Sequence, residues 1–258
     1  MSGNPMGLEG RNILITGAGQ GIGFAVAELA VGLGARVAIN DVNEDNLAAA
    51  IDKLGADNAR GYAGDVSDPG FVQDMVGNAV RDLGQVDGLV ANAGIVRAAM
   101  INKMAFETWK QVIDVNLTGV YLCVQAVGRH MIERQKDGDE RPGAIINVSS
   151  DAGRRGTIGQ INYGAAKSGV LGITMSSARE WGRYGIRVNS VCFGVVATEM
   201  TETVRGEKFR DYYMQQIPLQ RFSDPEEVAQ PVCFLLSEGA SYITGQHLSI
   251  NGGMHIGF

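Results

Sequence analysis

The sequence predicts an α/β fold, one domain built on a doubly wound parallel sheet with helices on both faces. Three observations carry that prediction. Short β-branched runs alternate with longer stretches whose apolar residues recur at helical spacing. The short runs are apolar on both faces, as strands of a covered parallel sheet must be, and strand-helix-strand order implies right-handed crossovers. The chain has 258 residues, 45% hydrophobic and 19% charged, enough for one sizeable core.

In chain order, strands are expected at residues 12–15, 36–40, 88–91, 144–148, 186–192 and 247–250, and helices at 22–33, 43–54, 71–83, 106–132 and 161–181. Thirty-six glycines against six prolines, with no G-X-Y period, indicate tight turns and close backbone approaches rather than collagen or linker. No internal repeat, low-complexity stretch or interdomain linker is visible. The charge cluster at 136–141, followed by Pro142-Gly143, reads as a solvated loop.

Charge narrows the partners. With 22 basic and 28 acidic residues the net charge is −6, spread along the chain, so no positive field exists to hold nucleic acid or an anionic membrane. Even the most apolar stretch, 24–39, is broken by Glu28 and Arg36, which argues against a membrane span. Residues 1–10 lack the basic and apolar regions of a secretory signal, so a cytoplasmic location is expected. Cys123, Cys192 and Cys233 form no C-x-x-C and stand outside ligand spacing of His130, His247 and His255. Buried packing cysteines are expected, with neither disulfides nor a metal site.

The first strand runs directly into Thr16-Gly17-Ala18-Gly19-Gln20-Gly21-Ile22-Gly23, after which a helix begins. A turn without Cβ atoms lets backbone N–H groups approach a pyrophosphate, and the helix N-terminus adds partial positive charge. No Gly-Lys-Ser/Thr follows, which disfavours a bound triphosphate; Gly17, Gly21 and Gly23 give G-x-x-x-G-x-G. A dinucleotide is the expected ligand, against the plainer alternative of an ordinary strand-to-helix turn. At the end of the second strand, Asp41 can accept hydrogen bonds from both ribose hydroxyls of an adenosine and would repel a 2′-phosphate. Gln20 and Val42 stand where basic residues would receive that phosphate. The expectation is therefore NAD(H) in preference to NADP(H), with capping of the next helix at Asn43 as the alternative use of the aspartate.

Tyr163 and Lys167 lie at i and i+4 and so share one helix face, while Ser150 follows the apolar strand Ile145-Ile146-Asn147-Val148. Catalytic groups of an open parallel sheet belong at the carboxyl ends of strands, where Ser150 falls. Hydride arriving at a carbonyl carbon makes an alkoxide, which needs a proton and hydrogen bonds. Tyr163 would give the proton and Ser150 would hold the oxygen. A tyrosine titrates near about 10, so a fixed ammonium at Lys167 would favour the phenolate. A helix-surface pair is the plain alternative, weakened by Gly164, Ala165, Ala166, Ser168 and Gly169, small residues that suggest close approach of another backbone or ligand.

These residues resemble the short-chain dehydrogenase/reductase family, whose fold is Rossmann-like, over essentially the whole chain. The resemblance implies further site residues: Asp65 and Val66, in Gly64-Asp65-Val66, against the adenine; Asn92, Ala93 and Gly94 in the turn after the fourth strand; Asn116, in Asp114-Val115-Asn116, as anchor of a proton-relay water; Ile22 beside the cofactor; and Val196 and Thr198 at the nicotinamide carboxamide. Ser150, Ala152, Gln160 and Phe193 are the expected substrate contacts, and residues 195–221 the expected lid. The ending Tyr242-Ile243-Thr244-Gly245-Gln246 with Asn251-Gly252-Gly253 looks like the branch of 3-oxoacyl-acyl-carrier-protein reductases, whose members are commonly homotetramers and use NADPH.

Three features depart from that branch. Phe193-Gly194 stands where the family has Pro-Gly, Asp41 argues against NADPH, and of two basic positions that would dock an acidic carrier Arg141 matches while Tyr184, next to Arg183, does not. The expected function is that of an oxidoreductase moving hydride between NAD(H) and a small-molecule secondary alcohol or ketone. The alternatives are a 3-oxoacyl-carrier or 3-hydroxyacyl-CoA reductase and a non-catalytic dinucleotide sensor or scaffold. A homotetramer is expected because Val115, Leu117, Val120, Leu122 and Val124 on one helix, and Val170, Leu171, Ile173 and Met175 on another, spread over more than one face, with residues 254–258 as a second contact.

Overall fold

The computed structural model describes residues 4–140 and 142–257. Seven strands form one sheet in the order β3-β2-β1-β4-β5-β6-β7, every neighbouring pair parallel. The strands are β1 (Asn12–Thr16), β2 (Arg36–Asp41), β3 (Ala59–Ala63), β4 (Gly88–Ala91), β5 (Gly143–Ser150), β6 (Ile186–Phe193) and β7 (His247–Ile250). The order reverses between β1 and β4, and such a switch point opens a crevice at the carboxyl ends of the strands.

Alternate residues along each strand point into two cores. Ile13 and Ile15 of β1, Val37 and Ile39 of β2 and Ile146 of β5 face α1 (Gly21–Gly32) and α2 (Glu44–Leu54) on one side. Leu14, Ala38 and Ile145 face α3 (Pro69–Leu83) on the other. After α3 come α4 (Phe106–Ile113), a π-helical stretch Asp114–Gly119, and α5 (Val120–Lys136), then the short α6 (Ala152–Arg155) and the long α7 (Ile161–Trp181). Helices α5 and α7 join α3 on its face. The turns α8 (Glu202–Arg205) and α9 (Glu207–Met214) fall in the expected lid, and α10 (Pro225–Leu236) completes the α1 face.

Strand β3 and helix α10 are among the elements outside the expected set. Strand β3 reads Ala-Arg-Gly-Tyr-Ala and has no apolar run, because it is the edge strand and Arg60 and Gly61 are exposed. Helix α10 begins with a capping box, Asp224 and Glu227, and a proline at its first turn, start signals that belong to no site motif. The continuous helix expected at 106–132 is interrupted instead: the π-helical stretch adds a residue to the turn and carries Asn116, fully buried, toward the loop after β4.

Candidate active site

A cavity of about 750 Å³ occupies the crevice, lined by the glycine turn, Asp41, Asp65, Val66, Asn92 to Gly94, Ser150, Tyr163, Lys167, Phe193, Val196 and Thr198. The turn has reasons to be glycine. Gly17 (φ 62°) and Gly21 (φ 59°) adopt left-handed backbone, and a Cβ on Gly23 would stand 2.3 Å from the Gly17 carbonyl oxygen. Gln20 precedes α1 without capping it, so the first N–H groups of that helix keep no side-chain partner; the Gln20 amide reaches across to Glu199 at 3.1 Å. An uncapped helix start beneath a Cβ-free cradle fits a dinucleotide pyrophosphate.

The turn is fastened from the β4 side. Asn92 Nδ2 donates to the Thr16 and Gly17 carbonyls at 3.0 and 2.9 Å, and Thr16 Oγ1 accepts from the N–H groups of Asn92 and Ala93. Asp65 Oδ1 accepts from Ser67 N, which holds the acid in the turn after β3, and Val66 is buried beside Gly119. Asp41 is occupied by the backbone: Oδ2 accepts from Gly19 N and Oδ1 from Asn43 N, both at 3.0 Å. The helix cap itself comes from Asn43, which accepts from Asn46 N.

Strand β5 delivers Ser150 to the cavity and α7 delivers Tyr163 and Lys167. Burial pushes the Tyr163 phenol above its usual value, and its hydrogen bond with Ser150 pulls it back. The phenol is therefore neutral at physiological pH and able to donate. Lys167 is fully buried, its Nζ donates to the Val148 carbonyl at 2.7 Å and lies 5.7 Å from the centre of the Tyr163 ring, and burial brings the ammonium down to about 8. Ser150 Oγ also lies 3.5 Å from the Phe193 carbonyl and accepts from Ala152 N. The small residues of α7 answer to close approaches: Gly164 to the Ala152 carbonyl, Gly169 to Leu117, and the Ser168 hydroxyl to the Gly153 carbonyl.

Other expected site residues fall into several groups. The Asn116 side chain is anchored on Ile95, donating one amide hydrogen to its carbonyl at 2.9 Å and accepting from its N–H at 2.8 Å. Phe193 ends β6 in the core and also faces the cavity. Ala152 and Gln160 do not share it; they line a second cavity of about 540 Å³ with Met100, Ile101 and Ile158. Thr198 caps the turn at Glu199–Thr201, and Thr198, Glu199, Met200 and Thr201 bring the lid segment to the cavity wall. Arg97, Gln111 and Asp114 also line it, residues outside any motif that periodicity could single out. Arg183 stacks on the Tyr184 ring; Arg141 and Phe258 lie outside the described residues.

Residues 17–255 match a family model described as Enoyl-(Acyl carrier protein) reductase. The chain belongs to the short-chain dehydrogenase/reductase family. It is 41% identical to the 3-oxoacyl-acyl-carrier-protein reductase FabG of Vibrio cholerae over 97% of this chain and 100% of that protein. It is 39% identical to the acetoacetyl-CoA reductase of Synechocystis over 97% of this chain and 98% of that one. A short-chain dehydrogenase/reductase structure from Mycobacterium marinum superposes with a TM-score of 0.90 at 32% identity, covering 98% of both chains.

This short-chain oxidoreductase acts at CH–OH and keto groups. The expected preference for NAD(H) over NADP(H) is corrected by the same relatives, reductases of the branch marked above as NADPH users. The physical reason lies at Asp41. Its carboxylate organises the glycine turn and the start of α2 through Gly19 and Asn43, which is reason enough for an aspartate there whatever the ribose carries. Among the described residues no helix is long and apolar enough to cross a membrane.

Proposed function

We propose that the chain reduces the keto group of a 3-oxoacyl thioester to a secondary alcohol, with Tyr163 as proton donor, Ser150 holding the substrate oxygen and Lys167 as electrostatic partner. The observation that carries this reading is the convergence of Ser150, Tyr163 and Lys167 on one cavity, with the Lys167 ammonium 5.7 Å from the centre of the Tyr163 ring. A bound nicotinamide dinucleotide supplies the hydride. The glycine turn, Asp65, Val66, Val196 and Thr198 hold that dinucleotide. Burial keeps the Tyr163 proton on Oη until a developing alkoxide takes it, while the Ser150 hydroxyl holds that oxygen. Lys167, charged below about 8 and with Nζ 5.7 Å from the centre of the Tyr163 ring, electrostatically supports the phenolate left behind.

The thioester follows from the similarity to reductases named for 3-oxoacyl and acetoacetyl substrates; a small ketone or secondary alcohol is the rival. Acetoacetyl thioesters assayed beside a panel of secondary alcohols separate them, and turnover of the alcohols alone sinks the thioester. Tyr163→Phe removes one hydroxyl; the variant folds and loses turnover by a factor of about 10² or more. Near-native turnover in the folded variant removes the mechanism.

Assembly belongs to the same proposal. Val120, Val124 and Val170 are buried in their own subunit, whereas Tyr121 on α5 and Met175 on α7 are exposed and Leu248 lies on the open edge strand β7. These surfaces fit a homotetramer joined through α5 with α7 and through β7. Three buried free thiols fit a reducing compartment such as the cytoplasm.

A further inference from the structure

Side-chain carboxamides hold the segment after β4 at three points. Asn92 ties its start to the glycine turn and Asn116 pairs with both backbone groups of Ile95. The third, Asn162, belongs to no motif considered above. It is fully buried at the start of α7, and Nδ2 donates to the Arg97 carbonyl at 3.0 Å and to the Thr108 carbonyl at 3.2 Å, while Oδ1 accepts from Tyr163 N at 2.8 Å. Both amide hydrogens are used.

Asn162 is the residue before Tyr163, so its backbone moves with the proton donor while its side chain grips another wall of the cavity. Gly94, Ile95 and Arg97 line the cavity together with Ser150 and Tyr163. One buried amide therefore joins the donor, the loop after β4 and α4. Aspartate offers no hydrogen to the two carbonyls, serine is too short to span them, and glutamine shifts the amide by one methylene.

We propose that Asn162 is a positioning residue that sets the 94–97 wall against Tyr163 and so governs how the carbonyl substrate is seated. The inference rests on Tyr163 being the proton donor. A displacement on the order of 1 Å at a reacting centre costs up to about 10²-fold in rate, whereas a residue serving only stability leaves rate per folded molecule unchanged.

Wild type, Tyr163→Phe, Asn162→Ala and Asn162→Asp are compared as full chains, with folded sites counted by NADPH fluorescence titration. Dinucleotide affinity in the Asn162 variants stays within about threefold of wild type, because the glycine turn is untouched. The kcat/KM for acetoacetyl-CoA per dinucleotide-binding site falls at least about tenfold, with a rise in KM. A kcat/KM that falls by less than about tenfold overturns the inference, and so does a loss of dinucleotide affinity in step with kcat/KM. If neither variant binds dinucleotide, Asn162→Gln is judged by the same criteria, and failure of all three to bind makes Asn162 a fold determinant and overturns the positioning role. Turnover surviving in Tyr163→Phe sinks the proton-donor reading itself. A dead Tyr163→Phe beside fully active Asn162 variants sinks only the inference.

Discussion

Lys167 is fully buried, its Nζ donates to the Val148 carbonyl, and burial brings its ammonium down to about 8 from 10.5. Its folded value lies below its unfolded value, so between the two the unfolded chain binds more protons. Stability is therefore lowest below about pH 8 and rises as pH climbs toward 10.5. Lys167→Met removes the buried charge at similar length. We expect it to unfold at higher urea at pH 7, by on the order of 1–3 kcal/mol, while turnover falls by about 10² or more. Reduction by the wild type should decline as pH rises through about 8, where the ammonium loses its proton, and that decline should be absent from the residual rate of the methionine variant. An unchanged urea midpoint in Lys167→Met contradicts the account of the buried charge.

The glycine turn is an element whose geometry leaves no room for a methyl group. A Cβ at Gly23 meets the Gly17 carbonyl at 2.3 Å and Asn92 Nδ2 at 2.7 Å, both parts of the fastening between β1 and β4. Gly23→Ala must shift backbone, since neither neighbour is the free end of a flexible chain. We expect a stability cost of about 1–3 kcal/mol and loss of dinucleotide binding by fluorescence titration, with cooperative unfolding retained. Wild-type affinity in that variant would show that the turn does not cradle the pyrophosphate. The π-helical stretch at Asp114–Gly119 is the counterpart on the other core: it breaks the expected long helix to bring Asn116 to Ile95, and its local irregularity serves the loop that lines the site.

At the scale of the whole molecule, two histidines tie distant elements together in their neutral forms. His130 on α5 accepts from Val86 N just before β4, and His247 on β7 shares a hydrogen bond with Ser190 on β6. Burial lowers both below 6.5. As pH falls through 6.5 the unfolded chain takes up these protons first, so stability is lost on acidification and is complete above about pH 7. Thermal unfolding between pH 7 and 5.5 should show this fall, and His130→Gln, which keeps an acceptor that does not titrate, should lessen it. An identical pH dependence in that variant removes His130 from the account. Assembly is read at the same scale by sedimentation equilibrium: we expect about four times the 27.4 kDa chain mass at micromolar concentration. A persistent monomer refutes the interfaces assigned to α5, α7 and β7.

The sequence by itself determined the parallel α/β order, the glycine turn and the Ser150, Tyr163 and Lys167 set. Each is a local pattern: short runs apolar on both faces alternating with stretches of period 3.6, Cβ-free positions at a strand end, Ser150 at another strand end, and i, i+4 spacing of Tyr163 and Lys167 on one helix. Strand β3 escaped because an edge strand with one neighbour needs no apolar run. Only the tertiary structure decided what the shared acceptors and donors were doing. The oxygens of Asp41 meet Gly19 and Asn43 and the Asn116 amide meets Ile95, contacts that no motif spells out, and Asn162 carries no signal at all until Arg97 and Thr108 come within reach. Ala152 and Gln160 flank the catalytic residues along the chain and still face another cavity. A side chain's partners are set by residues far off in sequence, and hydrogen bonds are directional over about 3 Å, so no spacing along the chain can name them.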